Sequence, residues 1–465
     1  MRVRDREVEH DTGAPQPVRR SVSGHSQLSR RGLLGGAATA AAFAVVPRHV
    51  LGGPRHVPPS EKLNIAGIGI GGRGAGDMDE VSSENIVALC DVDKAYAAGT
   101  FKRYPKARAY TDFRRMLEKE DKQIDAVVIA TPDHTHAVIT MMAIKMGKHV
   151  YCEKPLTHSA YEARKITEAA REAKVATQMG NQGQASESAR VLQELILDGA
   201  IGHVREIHGW SKRKNFITAR GIARPADTPP VPDTLNWDLW LGPAPYRPYH
   251  PAYLPFRWRG WWDFGTGVLG DIGCHEFSSI FKALKLGHPT WIQACSTNDM
   301  APPQIREESA PLGSIIRYGF PARGDRPSVE LTWWDGGMMP PQPEELEPGR
   351  RMDGGDGTLY IGDKGKMLAH RLIPESRMRE YGRPPEVLPR SPGHHKEWID
   401  ACKGGKAAGS DFVAHAGLLA EVVLLGNIAI RTKEKLYWDG EKGKFTNSER
   451  ANALLNPPYR EGWTL

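Results

Sequence analysis

From Leu63 onward, short runs that are apolar on both faces alternate with stretches whose apolar residues recur every three or four positions. Leu63–Ile68, Ile86–Cys90, Asp125–Ala130, His149–Cys152 and Ala176–Met179 read as strands buried in a parallel sheet. Helical spacing follows Gly74, runs from about Tyr110–Phe113 to Lys119, and recurs over Ala137–Met146 and Ala160–Ala173. Strands alternating with helices predict a doubly wound parallel sheet with its ligand at the strands' carboxyl ends. Beyond residue 181 the candidate strands Val204–Trp210, Trp291–Ser296, Ser314–Phe320 and Val329–Trp334 are separated by loops. Pro225–Pro255, rich in Pro and aromatics, is expected to be a long ordered loop, and 335–356 a mobile surface loop. Helices over His394–Cys402 and Phe412–Ile430 close the chain, which shows no internal repeat and no P-loop. The expected division is 1–60, 61–180 and 181–465, with a leader followed by two domains.

Composition changes this picture little. Hydrophobic residues are 40% and charged residues 25% of 465, which excludes wholesale disorder and a fibrous protein. Charge distribution matters more. The net +7 would invite a nucleic-acid reading if it were evenly spread. Residues 1–60, however, hold 9 Arg against 4 acids, leaving a body of 53 basic and 51 acidic groups. No nucleic-acid partner is expected.

That basic leader carries Ser29-Arg30-Arg31-Gly32-Leu33-Leu34, a small-residue apolar run over Gly35–Val46, and then Pro47-Arg48. Paired arginines before a short, weakly hydrophobic stretch match a twin-arginine secretion signal, with Ala42-Phe43-Ala44 offering a cleavage site. The run is about half of the roughly 20 residues a spanning helix needs, so no stable membrane span is expected there or later. The destination is periplasmic or otherwise exported. The five cysteines form no C-x-x-C pair, and therefore neither a disulfide framework nor a zinc site.

Candidate chemistry begins where the first strand meets Gly69-Ile70-Gly71-Gly72-Arg73-Gly74. In a G-x-G-x-x-G turn the first Gly permits the turn, the second admits a pyrophosphate and the third lets the helix approach the strand. Gly67-x-Gly69-x-x-Gly72 also fits the spacing but would put the turn inside the strand. The second strand ends in Asp91, where an acid binds the ribose hydroxyls of NAD and repels the 2′-phosphate of NADP. Other polar clusters also fall at strand ends: Thr131-Pro132-Asp133-His134-Thr135-His136, Glu153-Lys154-Pro155, and Asn181 with Gln182. His134 and His136 lack a third ligand nearby, so no metal is expected.

The glycine turn, the Thr-Pro-x-x-x-His turn and above all Glu153-Lys154-Pro155 resemble the glucose–fructose oxidoreductase/inositol dehydrogenase/MocA (Gfo/Idh/MocA) family. Trp237-Asp238-Leu239-Trp240-Leu241-Gly242-Pro243, Trp261-Trp262-Asp263-Phe264-Gly265 and Gly270-Asp271-Ile272-Gly273-Cys274-His275 are similar to segments of its exported, sugar-acting branch. The hairpin-like stretch Gly357–Gly365 fits as well, so the resemblance runs from Leu63 to the C-terminus. It implies a Rossmann domain followed by an α/β domain with a large open, mostly antiparallel sheet, which often forms subunit contacts. The resemblance further implies NAD as cofactor, bound by Gly69, Gly71, Gly72, Arg73, Gly74, Asp91, Thr131, Pro132, His134, His136, Glu153, Lys154 and Asn181.

The residues also make chemical sense by themselves. Asp271 and His275 are four apart and share a helix face, although Gly273 weakens that helix. His275 has the pKa range of a general base, Lys154 would stabilise a developing alkoxide, and Asp271 would orient the imidazole or bind a hydroxyl. The same three also fit an N-cap Asp, a packed His and a surface Lys. Trp237, Trp240, Trp258, Trp261 and Trp262 would suit sugar rings or a core equally. The expected activity is NAD(H)-dependent interconversion of a secondary hydroxyl and ketone on a sugar, glycoside or cyclitol. The alternative is a redox-neutral glycosidase resembling glycoside hydrolase family 109; a third reading is a binding protein with a relic site.

Overall fold

The computed structural model describes residues 61–212, 220–352 and 355–465, so the secretion-signal reading lies outside the described residues. Lys62–Leu465 form one compact unit. Its first sheet contains β1 (Asn64–Ile68), β2 (Asn85–Cys90), β3 (Arg108–Tyr110), β4 (Ala126–Ile129), β5 (His149–Glu153) and β6 (Thr177–Gly180). All neighbours pair in parallel, in the order 3-2-1-4-5-6. The order reverses between β1 and β4, and a crevice opens outside their carboxyl ends.

Local signals set where the helices start. α1 (Gly72–Glu80) follows directly from the glycine turn, and its N-cap Gly71 supplies no side chain, so the first-turn amides face the crevice. α2 (Phe113–Glu120) begins at Phe113 because the Asp112 carboxylate accepts from the Arg114 amide. α3 (Asp133–Lys145) starts earlier than the apolar periodicity at Ala137 suggested. Pro132, extended at φ −61° and ψ 151°, sets the start, so His134 and His136 lie in a polar first helical turn rather than a loop. A capping box between Ser159 and Glu162 opens α4 (Ala160–Ala173).

The second sheet has nine strands: β7 (Val204–Ser211), β8 (Trp291–Ser296), β9 (Ser314–Phe320), β10 (Val329–Trp334), β11 (Asp356–Gly362), β12 (Lys366–Leu368), β13 (Arg371–Ile373), β14 (Leu436–Asp439) and β15 (Lys444–Phe445). Their order is 13-12-11-7-10-9-8-14-15; β7 and β10 pair in parallel and the other neighbours antiparallel. β11 and β12 are the hairpin anticipated over 357–365.

α5 (Gly267–Leu284) lies on this sheet, with Phe277 edge-on to Trp333 at 5.7 Å between centroids. α6 (His394–Cys402) returns to the first sheet, burying Trp398 against Tyr151 at 5.7 Å. α7 (Gly417–Thr432) packs between α5 and the sheet, where Gly426 leaves room for the Tyr318 hydroxyl. Together with the turn before it, Phe412–Thr432 is long and apolar enough to cross a membrane by length and composition alone. This is the closing helix expected over Phe412–Ile430; Glu421 and Asn427 interrupt its apolar run, and its apolar window is 78% buried inside the protein.

Two loop expectations change. Pro225–Pro255 contains a helical turn, Trp237–Leu241, whose tryptophans stack 4.8 Å apart in a cluster with Tyr253, Trp261 and Phe264. The stretch 335–356 buries Leu346 and Met352 against Trp210, Leu359 and Ile373, so two anchors tie it to the sheet.

Candidate active site

A cleft of about 320 Å³ opens at the carboxyl ends of the first sheet. The glycine turn, Asp91, Thr131-Pro132 and Glu153-Lys154 form its floor, and Trp240 with Leu254–Phe256, Trp258 and Arg259 forms the opposite wall. The turn is built as a dinucleotide cradle requires. Gly69 sits at φ +75°, where a Cβ would come within 2.7 Å of the Thr131 amide nitrogen. A Cβ on Gly74 would lie 1.9 Å from the Gly69 carbonyl oxygen, so α1 approaches the strand as closely as backbone allows. Gly67 lies inside β1, which settles the register of the motif.

At Gly71 and Gly72 the obstacle is instead the ring of Tyr96, 2.2 and 2.3 Å from an added Cβ. Tyr96 is 46% exposed and its hydroxyl lies over Gly72, so the space above the second glycine is covered by a surface side chain rather than by backbone. Asp91 lines the cleft at the end of β2 and accepts from Gly71 N at 3.1 Å and Asp93 N at 2.9 Å. These residues fit NAD: exposed helix amides for the pyrophosphate and an acid at the ribose position.

Arg73 reaches back from α1 to Asp77 at 2.7 Å and to Glu153 at 3.1 Å. Glu153 is buried and also accepts from Gln182 Nε2 at 2.6 Å. Burial, and then the Asp77 charge, push its pKa up to about 7. A folded-state pKa above the unfolded value near 4.5 means that the native state holds the proton more tightly. In the cofactor-free protein, stability should be highest below about pH 4.5 with respect to this group and fall as pH rises through 7. Denaturation at stepped pH should show a shallower fall in Glu153→Gln; parallel profiles would remove Glu153 as the cause.

His134 and His136 are not part of the cleft wall. Both are buried, and their ring nitrogens face backbone carbonyls. In His134 these are Trp240 O at 3.0 Å and Phe264 O at 3.3 Å, and burial holds its pKa down to about 3. In His136 they are Thr131 O and Pro155 O, each at 2.8 Å, so this ring ties the Thr-Pro turn to the Glu-Lys-Pro turn. Their effect on a cofactor is therefore exerted through the backbone they position.

Lys154 joins the two halves of the unit. Its ammonium donates to Asp271 O at 2.8 Å and forms a close ion pair with Asp271 Oδ1. Arg259 Nε meets the same oxygen at 3.2 Å. Burial alone would raise the Asp271 pKa, but Lys154 and then Arg259 overcome it and hold the group at about 2. Two of the three Lys154 donors are thus committed and one remains for a ligand. His275 lies one turn further along α5, half-buried and close enough for its charge to act on Asp271. Asn181 donates to Cys274 O at 3.2 Å.

Asp271 Oδ2 and Asn181 Oδ1 are both buried, and neither has a hydrogen-bond partner among the described residues. Asp271, His275 and Asn181 lie beside the cleft rather than in its wall. Sequence reading missed Arg259 and Tyr96. The signal for Arg259 was its place in the tryptophan-rich segment before α5; Tyr96 had none. Of the five tryptophans, Trp240 and Trp258 reach the cleft wall while remaining mostly buried. Among the described residues no three His, Cys, Asp or Glu side chains form a metal-binding group.

Residues 62–181 match the model of an oxidoreductase family described as its NAD-binding Rossmann fold, and 200–292 match that family's C-terminal alpha/beta domain. An inositol 2-dehydrogenase from Rubrobacter xylanophilus is 32% identical over 186 residues, 38% of this chain and 52% of that protein. A levoglucosan dehydrogenase from Pseudarthrobacter phenanthrenivorans is 27% identical over 219 residues, 44% of this chain and 45% of that protein. The chain spans about half the length of the curated relatives it matches. Among solved structures, the WlbA dehydrogenase of Bordetella pertussis, in complex with NADH and UDP-GlcNAcA, superposes with a TM-score of 0.55. It is 16% identical and covers 81% of this chain and 99% of its own. GenD2 from gentamicin A biosynthesis, in complex with NAD, gives 0.55 at 19% identity over 85% of this chain and 100% of its own. Two consecutive domain models, meeting a 3-2-1-4-5-6 sheet with a glycine cradle and a nine-stranded second sheet, place residues 62–181 and 200–292 in the Gfo/Idh/MocA oxidoreductase family.

Proposed function

We propose that the protein is an NAD(H)-dependent oxidoreductase interconverting a secondary hydroxyl and a ketone on a sugar, glycoside or cyclitol. The observation that carries this is a pair of buried, unpartnered acceptors: Asp271 Oδ2, on the carboxylate that holds a Lys154 ammonium with one donor to spare, and Asn181 Oδ1, whose amide nitrogen donates to Cys274 O on the same helix. Neighbouring hydroxyls on one ring would satisfy both acceptors. The glycine turn and Asp91 would hold NAD, which would supply the hydride acceptor for the carbinol carbon. Lys154 holds the carbinol oxygen and stabilises its developing negative charge, while His275 takes the hydroxyl proton. Asp271 keeps Lys154 in place and binds an adjacent hydroxyl. In the reverse direction His275 returns the proton.

The test is turnover of cyclitols and monosaccharides by the purified protein, followed as NADH absorbance. Loss of about 10²-fold or more in His275→Ala supports the general base; unchanged turnover would remove it. We further place the protein outside the cytoplasm through its twin-arginine leader, with subunit contacts on the open face of the second sheet.

A second reading is favoured by the segment that covers the cleft. Lys94 N donates to Thr234 O at 3.0 Å and Asn236 N to Val92 O at 2.8 Å, tying residues 234–236 to the loop after Asp91. A cofactor under this strap would be retained between turnovers, suiting a redox-neutral glycosidase in which a transient ketone acidifies the neighbouring C–H and lets the aglycone leave. Chromogenic glycosides with no added cofactor separate the readings. Aglycone release without net NADH supports the glycosidase, and its absence supports the dehydrogenase. Mass spectrometry of the denatured protein reports whether NAD was carried along.

A further inference from the structure

A second cavity, of about 310 Å³, lies outside the cofactor cleft and is used by neither reading above. One face of α7 forms its long wall, with Leu424, Asn427, Ile428 and Arg431 at the spacing of a single helical stripe. Trp262 and Asp263 face them from the segment before α5, and the C-terminal prolines Pro457 and Pro458 close one side. Its size is within the usual range for small-molecule sites, about 300–1,000 Å³.

Two polar groups lining this cavity have no complete set of protein partners. Asn427 is 7% exposed; its Nδ2 donates to Thr266 O at 2.8 Å, but its Oδ1 is buried without a partner among the described residues. The Arg431 guanidinium is covered by the Trp262 ring, 5.6 Å from its centroid, and has no carboxylate within 4 Å among the described residues. Asp263, an acid on the same wall, is already ion-paired to the buried Arg247. Leaving a buried amide oxygen without a partner is unfavourable unless something else completes it, and beside it the half-buried Arg431 guanidinium has donors to offer a ligand.

We infer that this cavity binds a small hydroxylated carboxylate, such as a sugar acid. Arg431 receives the carboxylate through its fork of donors, Asn427 Oδ1 accepts from a ligand hydroxyl, and the Trp262 face covers the ring. A single guanidinium, with Glu162 and Asp263 also on the wall, favours a monoanion over a phosphate dianion. Thr266, which supplies the carbonyl to Asn427, also donates from Oγ1 to Asp133 at 2.7 Å, so a hydrogen bond links this cavity to the turn after Thr131-Pro132, which line the cofactor cleft. The acid could therefore be a separate effector or the charged end of an extended substrate. This inference does not depend on the oxidoreductase reading.

Calorimetric titration of the purified full chain with sodium D-glucuronate, and with D-glucose as neutral control, tests it. Glucuronate should bind the wild type, glucose at least about tenfold more weakly, and Arg431→Gln should weaken glucuronate about tenfold or more. Asn427→Leu should weaken both sugars, and thermal melting of each variant checks that the fold is kept. No glucuronate binding, equal binding of both sugars, or unchanged affinity in Arg431→Gln would overturn the proposal. Titrating Lys154→Met separates the sources: unchanged affinity there identifies an effector site, and a parallel loss identifies a substrate extension.

Discussion

Lys154→Met should lower turnover by about 10²–10³-fold, the loss typical of removing one positioned donor from a developing oxyanion. The substitution acts twice. It withdraws the ammonium that would stabilise the alkoxide, and it removes the nearer of the two cations beside Asp271 Oδ1. The Asp271 side chain is only 4% exposed, so its charge would then rest on Arg259 alone. Breaking a buried pair in this way costs about 3–5 kcal/mol when the remaining charge stays uncompensated. The Asp271 pKa would rise from about 2 toward the ordinary carboxylate range. The double variant Lys154→Met/Asp271→Asn separates the two effects. It should regain most of the stability while remaining slow, and chemical denaturation beside steady-state kinetics reads both. A double variant that recovered turnover would show that Lys154 matters only as the partner of Asp271.

Gly74→Ala should destabilise the protein by about 3 kcal/mol or more, at the upper end of overpacking. The added methyl would stand 1.9 Å from the Gly69 carbonyl and 3.1 Å from Ala130 Cβ, atoms of β1's turn and of the β4 end. Neither gives way without moving the cradle. NAD affinity should therefore fall along with the denaturation midpoint. Gly76→Ala is the control on the same helix. Nothing lies within 4 Å of its added Cβ, and an alanine there should stabilise by about 0.5–1 kcal/mol. Gly71→Ala should be milder than Gly74→Ala because the Tyr96 ring it meets is a half-exposed side chain, whereas Gly74 meets backbone. Equal effects at Gly74 and Gly76 would show that helix propensity, not close approach, governs the turn.

Much of this was legible in the sequence, for reasons that are local. β4 is buried at every residue, so its apolar run is continuous and unmistakable. The glycine turn is visible because backbone crowding at Gly69 and Gly74 leaves no other residue type available. Asp91 could be placed because a strand's length fixes where its end falls. Helix starts were less legible. The first turn of α3 is polar on a buried segment, so periodicity beginning at Ala137 concealed it.

What the sequence by itself determined is the class of fold, the glycine turn, the acid at the end of β2 and the Glu-Lys-Pro turn, each encoded within a few consecutive residues. What only the tertiary structure decided is which of those residues meet. Lys154 and Asp271 are 117 positions apart, and Arg259 joins them from the aromatic strap. His134 and His136, adjacent in the chain to cleft residues, turn inward to carbonyls of Trp240, Phe264, Thr131 and Pro155 instead. The reason is that a strand or turn is selected by steric and solvation preferences of its own residues. A buried charge, by contrast, is stable only where a partner from elsewhere in the chain reaches it, and that distance is set by packing of the whole unit.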